Sequence, residues 1–321
     1  MKTTYLLLCL LGIGSVPGAG QTKQPQKIGD FIESTSYNEH RRNATRSLQY
    51  TPDGDDFVCI NGKNRFTRAL YGSHTAFRLE TSDRPVFAAY TKENPKHICF
   101  KLQTSGGTVA LDSTEHCESR YTAGRRSYSL SDPAFGGGSL SITTWALPDK
   151  EGAIWQFNAR NFKEFHPVLL ASISEIRNSK LNRNGDMGAD PADSFEAPLQ
   201  PLQLQSFPVQ IDGTLYILLE NQELRTLTTA EGENLFKKAE AARSETASRI
   251  RIETPDPYFN TLGGTLAMAA DGIWDGEVWL HGAIGWRMPL SGWRAAYTGD
   301  VLGWHDRART HFNAYAASQV T

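Results

Sequence analysis

The sequence has few cysteines, little net charge and almost no long apolar runs. It contains 4 cysteines, and its 33 basic residues nearly balance 35 acidic ones over 321 residues. A nearly neutral chain has no general electrostatic attraction to nucleic acid, so we predict no nucleic-acid partner. One apolar run, close to the N-terminus, is the only stretch to consider as a membrane segment. These absences disfavour polytopic membrane proteins, collagens and coiled coils.

The cysteine spacing argues against two further kinds of structure. Beyond the N-terminal segment, the chain has Cys59, Cys99 and Cys117, an odd number that rules out a fully paired disulfide framework. No two of them have the spacing of a metal-binding pair. A single disulfide remains open as an alternative to buried free thiols, which we favour. The sequence also has no phosphate-binding loop, dinucleotide fingerprint or G-x-S-x-G motif, and we predict no metal and no cofactor.

The N-terminus has the layout of a secretory signal peptide. Lys2 precedes an apolar run over residues 5–13, and small residues follow at 18–20. The run is too short to span a bilayer as a helix. We therefore predict that residues 1–20 are removed, and that the mature chain is exported to the periplasm or outside the cell without a stable membrane anchor. Residues 21–48 are polar and mixed, which predicts a flexible lead-in.

Residues 49–229 predict an antiparallel β-sandwich. Short runs of β-branched and aromatic residues alternate with turn pairs, and no helical pattern separates them. The predicted elements are hairpin turns at Asn61-Gly62, at residues 105–107 and at Asp212-Gly213, and strands at residues 139–147 and 154–162.

The pattern changes to a connector over residues 230–253. Residues 230–247 are rich in Ala, Glu, Lys and Arg with little apolar content, which predicts a solvated helix. Residues 249–254 alternate isoleucine with charged side chains, which predicts a short strand.

Residues 254–321 predict one αα-hairpin. Asp256 can cap a helix that begins at Pro257, and the apolar spacing continues this helix to about residue 270. A loop over residues 271–304 and a second helix over about 305–319 complete the hairpin. The predicted fold class is therefore mainly β, with an N-terminal sandwich, a connector helix and one helical hairpin.

The loop is the most informative part of the chain for function. Five of the seven tryptophans lie in it, interleaved with glycine and charged residues. A sugar ring has C–H faces that stack on aromatic rings and hydroxyls that need fixed polar partners, so this composition predicts a carbohydrate-binding surface. Packing of the hairpin against the sandwich is the alternative role for the tryptophans. His281 and His305 do not have a zinc-motif spacing.

Four motifs carry a resemblance to a known family: TPDPYFN (254–260), HGAIGWR (281–287), LSGWRAAY (290–297) and LGWHDRA (302–308). Together with the preceding sandwich, they resemble bacterial glycosidases in which a β-sandwich of a domain-of-unknown-function type precedes a six-hairpin (α/α)6 barrel. The resemblance implies a glycoside hydrolase acting on polysaccharide-derived glycans. Six hairpins need on the order of 300 residues, so we expect this chain to be the N-terminal portion of the enzyme.

The resemblance also implies roles for individual residues. The expected sugar-binding residues are Trp286, Arg287, Trp293, Arg294, Trp304, His305 and Asp306. Asp300 is the candidate catalytic residue, ahead of Asp275 and Glu277, and its partner carboxyl group would come from later hairpins, so this chain alone would lack a complete catalytic pair. The expected partners are an oligo- or polysaccharide and the missing barrel region or a partner chain.

Two other functions remain open at this point. One is a non-catalytic carbohydrate-binding module, and the other is a subunit that docks its Trp-rich hairpin onto another chain.

Overall fold

The alternating strand patterns produce two antiparallel sheets packed face to face. The computed structural model describes residues 50–63, 66–72, 74, 76–91, 95–162, 167–175, 201–282, 288–289 and 292–319, with the backbone alone described for residues 66–67 and 292–296. The predicted signal peptide and lead-in (1–48) and the Asn- and Asp-rich stretch 177–198 lie outside these residues. The described residues all belong to one compact unit.

The strands in chain order are β1 (Thr51–Asp53), β2 (Asp56–Ile60), β3 (Phe66–Tyr71), β4 (Arg78–Ser82), β5 (Val86–Tyr90), β6 (Lys96–Thr104), β7 (Gly107–Ala110), β8 (His116–Thr122), β9 (Arg125–Ser131), β10 (Ser139–Ala146), β11 (Gly152–Arg160), β12 (Val168–Glu175), β13 (Pro201–Pro208), β14 (Thr214–Glu220) and β15 (Glu223–Leu227). Short 3₁₀ helices lie at Leu111–Ser113 and Pro133–Phe135. One sheet has the order β1-β2-β8-β9-β10-β11-β14-β15. The other has the order β13-β12-β6-β5-β4-β3, with β7 paired to β6.

Large aromatic residues fill the space between the sheets. Phe87 and Phe100 of one sheet meet Tyr128, Trp155 and Phe157 of the other, and all five side chains are buried. Their rings meet edge to face, with centroids 5.4 Å apart for Phe87 and Trp155 and 5.1 Å apart for Phe100 and Phe157. Such pairs contribute about 0.5–1.5 kcal/mol each beyond the burial of their area. This core confirms the predicted β-sandwich.

One predicted hairpin is confirmed and two are wrong. β6 and β7 pair directly around residues 105–107, and the predicted strands at 139–147 and 154–162 are β10 and β11, which also pair. The turns at Asn61-Gly62 and Asp212-Gly213, in contrast, join strands of different sheets: β2 to β3, and β13 to β14.

The contacts around Asn61 explain why its turn crosses between the sheets. Asn61 has a positive φ of 49°, as a tight turn requires, but its amide and side chain bond to Cys117 of β8, at 2.8 Å in both cases. Gly62 lies so close to Asp83 that an added Cβ would be 2.2 Å from the Asp83 Cβ. A turn pair specifies a change of chain direction, whereas these tertiary contacts decide which sheet the next strand joins.

The predicted connector helix is present as α1 (Thr229–Ala247), and it begins with a capping box between Thr228 and Glu231. It is not simply a solvated connector, because it packs on the outer face of the larger sheet. The Phe236 ring lies 4.1 Å from that of Trp145, centroid to centroid, and the Trp145 indole N–H donates to Glu240 at 2.8 Å. The predicted strand at 249–254 is wrong, because no strand pairs with it among the described residues.

The C-terminal region contains four helices in its described part, where two were predicted. The predicted helix at 257–270 is divided by a turn into α2 (Pro257–Asn260) and α3 (Gly263–Gly272). The predicted loop contains a helix that the sequence analysis missed, α4 (Gly292–Val301), and the last helix is confirmed as α5 (His305–Ala317). None of the helices in the described part of the chain has the length and apolar character that crossing a bilayer requires.

Candidate functional site

Three of the five clustered tryptophans belong to a small second core. Trp274, Trp279 and Trp304 pack together with Ala267 of α3 and Leu302, and all are buried. The ring centroids of Trp274 and Trp279 are 4.5 Å apart. These tryptophans therefore pack the C-terminal helices against one another, whereas the alternative role that the sequence left open was packing of the hairpin against the sandwich.

Trp304, an expected sugar-binding residue, is covered on its faces by guanidinium groups. Its side chain is only 7% exposed, and the Cζ atoms of Arg307 and Arg249 lie 4.4 and 5.1 Å from its ring centroid. Arg307 is held in turn by an ion pair of 2.7 Å with the buried carboxylate of Asp271 on α3. A ligand could stack on Trp304 only by displacing these contacts.

Asp300 and His305 form an exposed pair where α4 ends and α5 begins. Asp300 Oδ1 lies 2.5 Å from His305 Nδ1, and both side chains are largely exposed. The second ring nitrogen of His305 is thereby directed away from the carboxylate, as in pairs where a carboxylate orients a histidine. Asp306 is directed elsewhere, since it is almost fully exposed and pairs with Arg309 at 2.9 Å.

The helical register of α4 places two aromatic residues, at positions 293 and 297, on the same face as Asp300. Positions 293, 297 and 300 follow the i, i+4, i+7 spacing, so they share one face of the helix. Tyr297 is 69% exposed on this face. Trp293 and Arg294 lie in the first turn of α4, with their side chains outside the described part, and Trp286 and Arg287 lie outside it altogether.

A groove of about 680 Å³ lies between α3 and α4 beside this face. Tyr297 and Val301 of α4, Leu266 of α3, and Arg249 and Arg251 of the preceding segment line it. The Val301 side chain is 85% exposed and that of Leu266 is half exposed. The groove thus combines an aromatic ring and aliphatic surface with guanidinium groups.

A second, more polar cleft of about 710 Å³ lies nearby. It is bounded by the C-terminal half of α1, by residues 250–253, and by Asp55 and Thr122 at one end of strands β1, β2 and β8 of the larger sheet. Ile250 and Arg251 line both concavities, so the 250–253 segment lies between them.

Of the other two acidic candidates, Asp275 has a structural role, while Glu277 has an exposed side chain and contributes its main-chain amide to the same turn. Asp275 Oδ1 accepts hydrogen bonds from the amides of Glu277 and Val278 at 3.0 and 2.8 Å, and so holds a turn. In the described residues, no group of three or more His, Cys, Asp or Glu side chains is arranged to hold a metal ion. Tyr297 is not among the predicted site residues, because the glycine and tryptophan content of residues 271–304 predicts a loop. The i, i+4 spacing of Tyr297 from Trp293 in LSGWRAAY is the signal that could have identified it.

Comparison with known families gives one match. The model of a domain of unknown function (DUF4450) matches residues 95–249. This range begins just before β6 and ends just after α1, so it includes most of the larger sheet and the helix that covers its outer face. No curated protein matches the chain.

Proposed function

We propose that this chain is the sugar-binding N-terminal portion of an exported glycoside hydrolase, and that it holds a carbohydrate against the exposed face of α4. One observation carries the proposal: α4 presents the Tyr297 ring and Asp300 on one exposed face beside an open groove, and Asp300 pairs there with His305 at the start of α5. The match to a domain of unknown function leaves this activity open. The signal-peptide layout of residues 1–20 supports export.

The chemistry of this face suits a sugar. The Tyr297 ring offers a flat apolar surface for the C–H face of a pyranose, and the Leu266 and Val301 side chains extend that surface. Asp300 accepts hydrogen bonds from hydroxyl groups, while His305 can donate or accept through its second nitrogen. Arg249 and Arg251 line the same groove and add donors for hydroxyl or carboxylate oxygens.

Binding without turnover is the behaviour we expect of the chain by itself. Glycoside hydrolysis needs two carboxyl groups about 5–9.5 Å apart across the scissile bond. Asp300 remains the candidate for one of them, but its bonded neighbour is a histidine, and Asp275 is engaged in a turn. We therefore propose that the second carboxyl group comes from another part of the enzyme.

The test is a glycan-array screen of the purified chain, followed by titration of the glycans that bind. Tyr297→Ala and Asp300→Asn should each weaken binding by about tenfold or more, equivalent to about 1.4 kcal/mol, because each removes a direct contact. Phe312→Ala is the matched control: Phe312 is a half-exposed aromatic residue on α5 that does not line the groove. Trp293→Ala and Arg294→Ala test the residues implied by the family resemblance.

Docking of a partner chain is the second candidate function, favoured by the exposed Leu266 and Val301 side chains. It predicts no glycan binding and concentration-dependent association that Val301→Asp abolishes. Glycan binding that is unchanged in both Tyr297→Ala and Asp300→Asn would contradict the carbohydrate site on α4.

A further inference from the structure

The segment between α1 and α2 has the sequence of a β-strand, but no strand in the described part of the chain pairs with it. Ile250 and Ile252 are half buried, while the side chains of Arg251 and Glu253 are 84% and 71% exposed, so burial alternates with the period of a strand. The chain runs from Ile250 to Glu253 without a turn or bend. β-branched residues in this alternation favour pairing with a neighbouring strand.

The main-chain groups of this segment make no hydrogen bond to any described residue. The ordered bonds stop on either side of it, with the Arg249 amide bonded to the Thr246 carbonyl at 3.2 Å and the Thr254 amide bonded to Asn260 Oδ1 at 2.7 Å. Between them, the N–H and C=O groups of four successive residues have no hydrogen-bond partner among the described residues, so those on an open edge are available to solvent or to a ligand.

The polar cleft supplies the space for a partner strand. One edge of the segment is closed, because the Ile250 carbonyl oxygen lies 2.8 Å from where a Cβ on Gly263 of α3 would be. In an extended segment, successive residues direct their N–H and C=O groups to opposite edges. The groups of Arg251 and Glu253 therefore lie on the other edge, and the segment as a whole lines a cleft of about 710 Å³.

We propose that this cleft binds an extended peptide, which pairs with residues 250–253 as an added β-strand. Four paired residues span about 13 Å. Main-chain hydrogen bonds would supply much of the affinity, as in other strand-addition sites. The cleft is lined by short polar and small side chains, including Ser244, Ser248 and Thr261. The proposal does not rest on the proposed sugar face on α4, although Ile250 and Arg251 line both concavities.

A peptide is favoured over a glycan here because of what lines the cleft. None of the described residues that line it is aromatic, so they offer no stacking surface for a sugar ring. The main chain of residues 250–253, in contrast, repeats donors and acceptors at the spacing of a polypeptide.

The experiment uses a display library of seven-residue peptides, selected on the whole chain, and then an N-methyl scan of the best binder. If the peptide binds as an added strand, the effect of N-methylation on affinity should alternate along the peptide. N-methyl groups at every second peptide residue should weaken binding by about tenfold or more, and N-methyl groups at the residues between them should have much smaller effects. The reason is that only alternate peptide amides face the partner strand. On the protein, Ser244→Trp fills the cleft from an exposed position of α1 and should abolish binding. Glu233→Trp, exposed on the same helix but outside the cleft, should leave binding unchanged.

Three results would overturn the proposal. They are failure to enrich any peptide, equal sensitivity to N-methylation at every peptide position, and loss of glycan rather than peptide binding in Ser244→Trp. Because the N-methyl scan alters only the peptide, it tests strand pairing even if a protein variant fails to fold.

Discussion

His97 on β6 is a buried base that the folded protein must keep neutral. It alternates with the core residue Ile98, so it lies on the outer face of the smaller sheet, where it is only 8% exposed and is opposite Ala88 and Ser174 in register. Burial lowers the pKa of this imidazole from its ordinary 6.5 to about 3. Between pH 6.5 and about pH 3, the His97 imidazole is therefore protonated in the unfolded chain and neutral in the folded chain.

The sign and size of the effect follow from linkage. Because the unfolded state binds more protons in this window, stability is retained above pH 6.5 and is lost as the pH falls towards 3. Each pH unit inside the window costs about 1.4 kcal/mol, so acidification from pH 7 to pH 5 should destabilise the fold by about 2 kcal/mol through His97. That is a large share of a typical folding free energy of about 5–15 kcal/mol.

The assay is urea unfolding at pH 7 and pH 5 for the parent chain, His97→Gln and His116→Gln. His97→Gln cannot take up the proton, so relative to the parent it should gain about 2 kcal/mol on going from pH 7 to pH 5, whatever its stability at pH 7. His116, exposed at the start of β8, is the control, and its variant should keep the pH dependence of the parent. If His97→Gln followed the parent to within about 0.5 kcal/mol, the burial argument would be refuted.

Three further predictions test the packing. Glu240→Gln should lower the free energy of unfolding in urea by about 1–3 kcal/mol, because the Glu240 carboxylate accepts hydrogen bonds from the Trp145 indole and from Arg125 and Arg243. The same change at an exposed glutamate of α1 is the control, and equal stabilities of the two variants would contradict this role for Glu240. Gly299→Ala should lower the thermal midpoint, at a cost of about 1–3 kcal/mol, because the new Cβ would lie 2.1 Å from Cη2 of the buried Trp279; an unchanged midpoint would show that the contact relaxes freely. Burial raises the pKa of Cys59 to about 11 and that of Cys117 to about 12, so both thiols should resist Ellman's reagent at pH 8 until denaturant is added, and stoichiometric reaction of the native chain would contradict this.

The sandwich could be predicted because the sequence signals of its strands and turns lie within a few neighbouring residues. A period of two and frequent turn signals are enough to indicate strands, and the stretches 139–147 and 154–162 proved to be neighbouring strands. What the sequence did not predict is the destination of the chain after a turn. Asn61 and Gly62 have the residues of a two-residue hairpin, but contacts with Cys117 and Asp83 direct the chain to the other sheet.

The C-terminal site was harder to predict because glycine has two roles there. Glycine beside tryptophan was interpreted as loop, whereas Gly299 lies inside α4, where its missing side chain lets the Trp279 ring approach the helix. Sequence alone does not distinguish a glycine needed for a turn from one needed for close packing. Once α4 was missed, the shared face of Tyr297 and Asp300 could not be recognised, and the prediction relied on tryptophans, of which Trp304 proved to be buried.

The segment 250–253 shows both a local pattern and the effect of its surroundings. Its sequence pattern is that of a strand, but no strand in the described part of the chain pairs with it. Ile250 and Arg251 line both the polar cleft and the α3–α4 groove, so a ligand that fixes this segment from one side also fixes a wall of the other concavity. We therefore expect the peptide and the glycan to alter each other's affinity, and linkage requires the two factors to be equal. Titrating each ligand in the presence of saturating amounts of the other measures both factors. Two affinities that are each unchanged would mean that the segment is already rigid, and the two sites would then act independently.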